Sequence, residues 1–196
     1  NENKDKFEIN LKTINNQIVQ IEKLVNEFSD FARMPKPILK ENNLVKIIEE
    51  NIKLLNELDN TINISINYNN KEIFLNSDKE QLARVFFNLI KNSIESIHQK
   101  AEKSPDFDKK ISIELNDFDD HIRLIINDNG IGFGVLEKNI KDILNPYFTT
   151  KKNGTGLGLS IVNKIVNDHN GNIRFLNIDN GAKIEIIFSK KWIQKS

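Results

Sequence analysis

The first thirty-odd residues of this 196-residue chain constrain its fold more than any other segment. Phe7, Leu11, Ile14, Ile18, Ile21, Val25 and Phe28 recur at alternating spacings of four and three, and Ala32 continues the series. This is a heptad seam. The positions between are mainly Asn, Gln, Lys and Glu, which suit a solvated face. A helix of about 28 residues with one narrow apolar stripe is not stable alone in water. The stripe must meet partner helices, as one arm of a helical hairpin or dimer bundle, or else fold back onto the rest of the chain. Met34-Pro35-Lys36-Pro37 stops the helix, because proline lacks the donor a helix needs and pushes the residue before it toward extended geometry. Three parts follow: a bundle helix over 1–34, a linker over 35–39 and a globular domain over 40–196.

Beyond the prolines the pattern alternates. Leu44, Ile47, Ile48, Leu54, Leu55 and Leu58 stand near helical spacing. Short extended runs follow at Ile62–Tyr68 and Glu72–Leu75, with Ile62, Ile64 and Ile66 on one face. Ser77 with Glu80 offers a capping box for a long helix from about Asp78 to Gln99. A polar loop over 100–109 leads to two strands, 111–116 and 121–127, joined by Asp117-Phe118-Asp119-Asp120. After Asp128 the periodicity dissolves for roughly 25 residues, a length uncommon in a compact domain unless the loop is functional. A helix over 156–169 and strands over 172–177 and 183–189 close the chain. Elements in this order predict an α+β fold, a mixed sheet covered on one face by helices.

Composition narrows the function classes. Apolar residues make up 38% and charged residues 29%, as in soluble globular domains. Lys plus Arg, 28, equals Asp plus Glu, 28, so the net charge is zero and a nucleic-acid binder is disfavoured. Without cysteine there is neither a disulfide framework nor a thiolate zinc site. No run of about 18 apolar residues and no signal-peptide pattern occurs, so direct membrane contact is not expected of these residues.

Four polar segments carry the candidate chemistry. On the long helix, Asn88, Asn92 and Glu95 stand four and three apart and share a face, where their oxygens suit Mg²⁺; a plain solvated face is the alternative. Asp128-Asn129-Gly130-Ile131-Gly132-Phe133-Gly134 follows an apolar strand. A carboxylate there can accept from an exocyclic amine while glycines admit a flat ring, although an Asn-Gly turn has the same signature. Pro146-Tyr147-Phe148-Thr149-Thr150-Lys151-Lys152 offers an aromatic anchor and, in Lys151, a mobile charge for a terminal phosphate, or else a surface loop with one buried Phe. Gly154-Thr155-Gly156-Leu157-Gly158-Leu159-Ser160 opens a helix, whose free amides and dipole make an anion site. It is not a Walker loop, since no Gly-Lys-Ser/Thr follows, and it does not sit where a dinucleotide fingerprint would.

In order and separation, these segments resemble the four ATP-binding boxes of bacterial sensor histidine kinases over about residues 38–190. The resemblance implies a two-layer Bergerat-type sandwich with ATP under a lid. Asp128 would take the adenine amino group, with Gly130 and Gly132 beside the ring. Asn92 would hold Mg²⁺ with Asn88 assisting and Glu95 nearby, and Asn88 and Lys151 would serve phosphoryl transfer. Phe148 and Thr149 would anchor the lid, and Gly154, Thr155, Gly156, Leu157 and Gly158 would line the triphosphate. Val25 to Pro37 is similar to the end of the dimerisation bundle in nitrogen-regulation kinases of the NtrY type. The family further implies a homodimer, a response-regulator receiver domain as partner and a cytoplasmic catalytic portion of an inner-membrane-anchored parent.

One part of the family pattern is not found. The kinases carry a phosphoacceptor histidine followed by an acidic residue on the first bundle helix. His98 ends a helix, His121 starts a strand and His169 precedes the turn at Asn170-Gly171. The expectation is a chain that begins after the acceptor helix, binds ATP and does not phosphorylate itself. Chaperone and topoisomerase ATPases share the glycine boxes but place a glutamate where Asn88 stands, and an amide is no general base. An anti-sigma-factor serine kinase and a degenerate dimerisation module are the remaining alternatives.

Overall fold

The computed structural model describes residues 2–133, 142–149, 151 and 154–191. Gly134, Thr150 and Lys152 of the quoted motifs lie outside them. In chain order the elements are α1 (Glu2–Ala32), β1 (Lys40–Asn43), α2 (Leu44–Leu58), β2 (Asn63–Tyr68), β3 (Phe74–Ser77) and α3 (Lys79–Lys103). They continue with β4 (Lys110–Asp117), β5 (His121–Asp128), α4 (Gly158–Asp168), β6 (Gly171–Ile178) and β7 (Gly181–Ser189).

Alternation fixes the sheet. Ile111, Ile113 and Leu115 of β4, Ile122, Leu124 and Ile126 of β5, and Ile184, Ile186 and Phe188 of β7 are buried at every second position. The strands run in the order β2-β4-β5-β7-β6. Only the β2–β4 pair is parallel, placing Ile64 beside Ile111 and Ile66 beside Ile113. The other pairs are antiparallel. The buried residues of α2, α3 and α4 join the strand residues in one core. Along α3, Leu82, Val85, Phe86, Leu89, Ile90, Ile94 and Ile97 form a broad stripe. The result is the α+β layering anticipated, with the opposite face of the helix free to carry polar groups.

Three local expectations are corrected. The cap of α3 is Asp78, not Ser77. The Asp78 Oδ1 accepts from the amides of Glu80 and Gln81, both at 3.1 Å, whereas Ser77 is buried and its hydroxyl donates to Leu75 O. Two short polar residues in succession gave the same signal, and the one facing outward at the helix start wins. The strand placed at Glu72–Leu75 runs instead over Phe74–Ser77, paired with β1, whose Lys-Glu-Asn-Asn sequence carries no strand signal of its own. Finally, α3 extends to Lys103, so the loop before β4 is shorter than expected.

Helix α1 meets the domain only near its end, among the described contacts. Phe31 and Met34 pack against the core, Arg84 pairs with Asp30 at 3.4 Å, and the Gln81 side chain donates to Pro35 O at 3.1 Å. Further toward the N-terminus, Phe7, Leu11, Ile14, Ile18 and Ile21 of the heptad seam stay exposed.

A buried histidine joins α4 to this corner. The Asp78 N–H donates to His169 Nε2 at 2.9 Å, so the ring proton sits on Nδ1 and is donated to Ile165 O at 2.8 Å. Asp78 Oδ2 also accepts from the Ile38 amide at 2.9 Å, tying the linker to the cap. Burial holds the His169 pKa below its ordinary 6.5, outweighing the Ile165 carbonyl and the Asp78 and Asp168 charges. The native state therefore takes up this proton less readily than the unfolded chain. The stabilisation is complete above the ordinary histidine value and is lost as pH falls below it toward the depressed one. His169→Ala, which strands the Asp78 N–H, is expected to cost about 1–3 kcal/mol at neutral pH. Denaturant melts of both proteins from pH 7 down to 5 should converge; parallel curves would remove the histidine from this role.

Candidate functional site

Helix α3 sets the geometry of the site, because three of its turns face the loops that follow β5 and precede α4. Asp128 ends β5 and is buried, with 5% of its surface exposed. Its Oδ1 accepts from the Gly130 N–H at 3.0 Å and its Oδ2 from the Ser93 hydroxyl at 3.0 Å. Burial raises the Asp128 pKa; the Gly130 amide, the Ser93 hydroxyl, the Ala182 amide and the Lys100 charge oppose that rise without cancelling it. A two-oxygen acceptor thus sits at the base of the site with lone pairs still uncommitted.

Glycine at 130 is required by close approach. A Cβ there would lie 2.6 Å from the Ser96 carbonyl carbon and 2.8 Å from the Ile97 nitrogen, so the turn rests directly on α3. The next residue, Ile131, donates its N–H to Ser96 Oγ at 3.1 Å. Gly132 takes a φ of 68°, and the Phe133 ring stands edge-on to Phe175 with centroids 5.7 Å apart.

Lys151 crosses to α3. Its ammonium donates to Asn92 Oδ1 at 2.8 Å and pairs with the Glu95 carboxylate. The positive charge occupies the position between amide and carboxylate oxygens that a cation would take, and these hard donors fit Mg²⁺. Both partners of the ion pair are partly exposed, so exchange of the ammonium for another cation costs little. Among the described residues, no group of three or more His, Cys, Asp and Glu gathers that could hold a metal. An ion here would depend on amide oxygens and on ligands brought by a phosphate.

Asn88, one turn before Asn92, donates its Nδ2 to Arg84 O at 2.8 Å and turns its Oδ1 toward Gly158. Gly158 begins α4, which starts without a side-chain cap. Its first-turn amides are therefore available to an anion. Leu157 is fully buried and anchors this start in the core. Phe148 packs against the core, as an anchor should. Thr149 Oγ1 accepts from the Lys151 N–H at 3.1 Å, and Gly154 N donates to Lys151 O at 3.1 Å, which aims the lysine inward.

The strap over 142–149 and the glycine loop are stitched together. Tyr147 N donates to Gly156 O at 3.1 Å. Tyr147 itself has a φ of 69°, an uncommon conformation for a bulky residue. Gly156 has a φ of 71°, and a Cβ on it would lie 2.7 Å from Phe148 N and from Tyr147 O. The end of α1 reaches the same place: Thr155 Oγ1 donates to Glu27, and the Phe28 ring stacks on Tyr147 at 6.4 Å.

The contacts bring Asp128, Gly130, Lys151 and Gly158 to α3, which carries Asn88, Asn92 and Glu95, while Gly132, Phe148, Thr149, Gly154, Thr155, Gly156 and Leu157 lie in the segments after β5 and before α4; the structure adds Ser93, Ser96 and Tyr147. Ser93 had a signal: it is a hydroxyl at a position where the apolar stripe of α3 calls for a hydrophobe, and buried polar groups are held by partners. Tyr147 had none for the bond of its backbone to Gly156.

An α+β sandwich with an acidic strand end, an asparagine-bearing helix and a glycine loop opening a second helix defines a class of nucleotide-binding domain. Residues 77–191 match the family described as histidine kinase-, DNA gyrase B- and HSP90-like ATPase, and the chain belongs to it. An NtrY-like sensor histidine kinase of Rickettsia prowazekii is 34% identical over 189 residues, covering 96% of this chain and 30% of that protein. The chain thus spans less than a third of the length of the curated relatives it matches. The catalytic domain of histidine kinase ThkA superposes with a TM-score of 0.67 at 30% identity, over 78% of this chain and 95% of that one. ThkA in complex with its response regulator TrrA gives 0.73 at 25% identity, over 91% and 49%.

Gly156→Ala tests the stitch between strap and loop. It is expected to destabilise by about 1–2 kcal/mol or more, the cost of a side chain in left-handed backbone. Hydrogen exchange at the Tyr147 amide should quicken; unchanged protection with unchanged stability would show that the two segments are not coupled.

Proposed function

We propose that this chain is the ATP-binding catalytic portion of a sensor histidine kinase, a protein-histidine phosphotransferase. The reading is carried by one observation: the buried Asp128 carboxylate, the Asn88–Asn92–Glu95 face and the uncapped start of α4 converge on one site. Asp128 accepts from the adenine amino group, with Gly130 and Gly132 giving the ring room. Asn92, with Asn88 and Glu95, holds Mg²⁺. Lys151 leaves its pair with Glu95 to meet the terminal phosphate, while Gly154, Thr155, Gly156, Leu157 and Gly158 line the triphosphate beneath the strap held by Phe148 and Thr149. Bound Mg²⁺–ATP supplies the phosphoryl group; the residues position it and balance its charge, which is most of what phosphoryl transfer requires of a protein.

The acceptor is a histidine outside residues 1–196. His98 is paired with Asp59 at 2.6 Å, His121 with Asp120 at 2.6 Å, and His169 is buried in the α3–α4 joint. Residues 1–34 form the second helix of a dimerisation hairpin, 35–39 the linker and 40–196 the catalytic domain. The exposed heptad stripe of α1 supports a homodimer, since it has the length and spacing of a bundle seam. The likeness to ThkA bound to a response regulator supports a receiver domain as the next phosphoryl acceptor. No described helix is long and apolar enough to cross a membrane. A membrane-anchored parent with its catalytic portion in the cytoplasm is the arrangement proposed. An amide at position 88 cannot activate water, which favours transfer to a side chain over steady ATP hydrolysis.

Calorimetric titration with a non-hydrolysable ATP analogue, with and without Mg²⁺, is the test. One saturable site is expected, tighter with Mg²⁺. Asp128→Ala should weaken it by about tenfold to a hundredfold, the worth of a hydrogen bond to a charged group. A folded sample with no saturable binding would sink the proposal, and unchanged affinity in Asp128→Ala would remove the adenine contact from this carboxylate.

A further inference from the structure

We infer that Ser93 is a positioning residue for base recognition: its hydroxyl fixes the rotamer of Asp128 so that the carboxylate presents a free lone pair to the nucleobase amine. The inference rests on the reading of Asp128 as the adenine acceptor and assigns a role to a residue that reading does not use.

Ser93 follows Asn92 on α3 and lies on the side of the helix that faces the sheet. Only 2% of its surface is exposed. Its neighbours along that stripe are Leu89, Ile90, Ile94 and Ile97, all buried. A hydroxyl here costs about 1–3 kcal/mol unless it is hydrogen-bonded. Its partner is Asp128 Oδ2 at 3.0 Å, and the pair is buried on both sides. An alanine would fill the position without that demand, so the hydroxyl is explained by what it does to the carboxylate.

The Asp128 side chain has two rotatable bonds, and a carboxylate with one tether would still swing. The Gly130 amide holds Oδ1 from the loop side and Ser93 holds Oδ2 from the helix side. These two donors arrive from different elements, so they set the plane of the group as well as its position. The Ala182 amide is a third donor, and of the roughly four lone-pair sites of a carboxylate some stay free. With the plane fixed, those lone pairs point in defined directions, and an amine donor on a flat ring is recognised only if one of them lies in the plane of the ring. Ser93 thereby acts on specificity through Asp128 without touching the nucleotide. The same fixed plane makes the site selective against purines that lack an amine at that edge, because a buried carboxylate facing a carbon–hydrogen edge loses its solvent and gains no bond.

The experiment compares ADP with the diphosphate of purine riboside, which lacks only the 6-amino group, by calorimetry without Mg²⁺. The wild type is expected to favour ADP by about tenfold or more. Ser93→Ala should lower ADP affinity by about fivefold to tenfold and leave the purine riboside diphosphate within about twofold, so the preference collapses. In an Asp128→Ala background the same substitution should change neither ligand, as for two residues acting through one contact. Equal losses for both ligands would mean that Ser93 merely supports the pocket, and an unchanged preference would mean that it does nothing for recognition; either result overturns the inference while leaving the role of Asp128 intact. A wild type that binds both ligands equally overturns the role of Asp128 and this inference with it.

Discussion

Helix α3 has to satisfy two environments at once, and the rest of the domain is arranged around that requirement. One stripe of the helix closes the core against β4 and β5, as full burial of Leu82, Val85, Leu89, Ile90 and Ile97 requires. The adjoining face carries Asn88, Asn92 and Glu95 at the mouth of the site. At the border between the two, Ser93 and Ser96 reach the Asp128 turn. Because the apolar stripe sets the rotation of the helix, it also sets where each polar group points. A rotation of one residue would carry Asn88 and Asn92 into buried positions and Ile90 and Ile97 into exposed ones, so the position of the site is held by the energetics of the core.

Charge in the site is handled by sharing. Two carboxylates, Asp128 against the buried side of α3 and Glu95 on its partly exposed side, are treated differently. Asp128 is desolvated and held by neutral donors, whereas Glu95 stays partly in water and is paired with Lys151. The first arrangement suits selective hydrogen bonding to a neutral amine, since a buried acceptor without its partner is costly. The second suits exchange of one cation for another, since a half-solvated pair is worth little. One helix thus separates recognition from charge compensation by burial.

The sequence carried the large features through periodicity. The heptad stripe of α1, the prolines that follow it and the alternation in β4, β5 and β7 are local patterns, and these elements lie close to where the patterns put them. Features that depend on partners far along the chain were hidden. Strand β1 exists because β3 pairs with it, not because Lys-Glu-Asn-Asn favours extension. The His169 joint links residues 91 positions apart, and nothing local to either partner announces it. Among the site residues, glycines and asparagines stood out because they are unusual for their surroundings. Ser93 is marked only by its place on the apolar stripe of α3.

The stitch between Tyr147 and Gly156 closes a small ring of chain over the mouth of the site. Between those two residues, Phe148 packs against the core and Lys151 reaches across to α3. Lengthening such a ring costs only about 0.6 kcal/mol for each doubling, as loop-closure entropy grows slowly. The ring can therefore take an extra residue at little entropic cost, provided that Phe148 keeps its place in the core and Lys151 still reaches Asn92 and Glu95. What cannot vary is the pair of ends: one must accept a left-handed backbone under a ring, and the other must have no side chain at all.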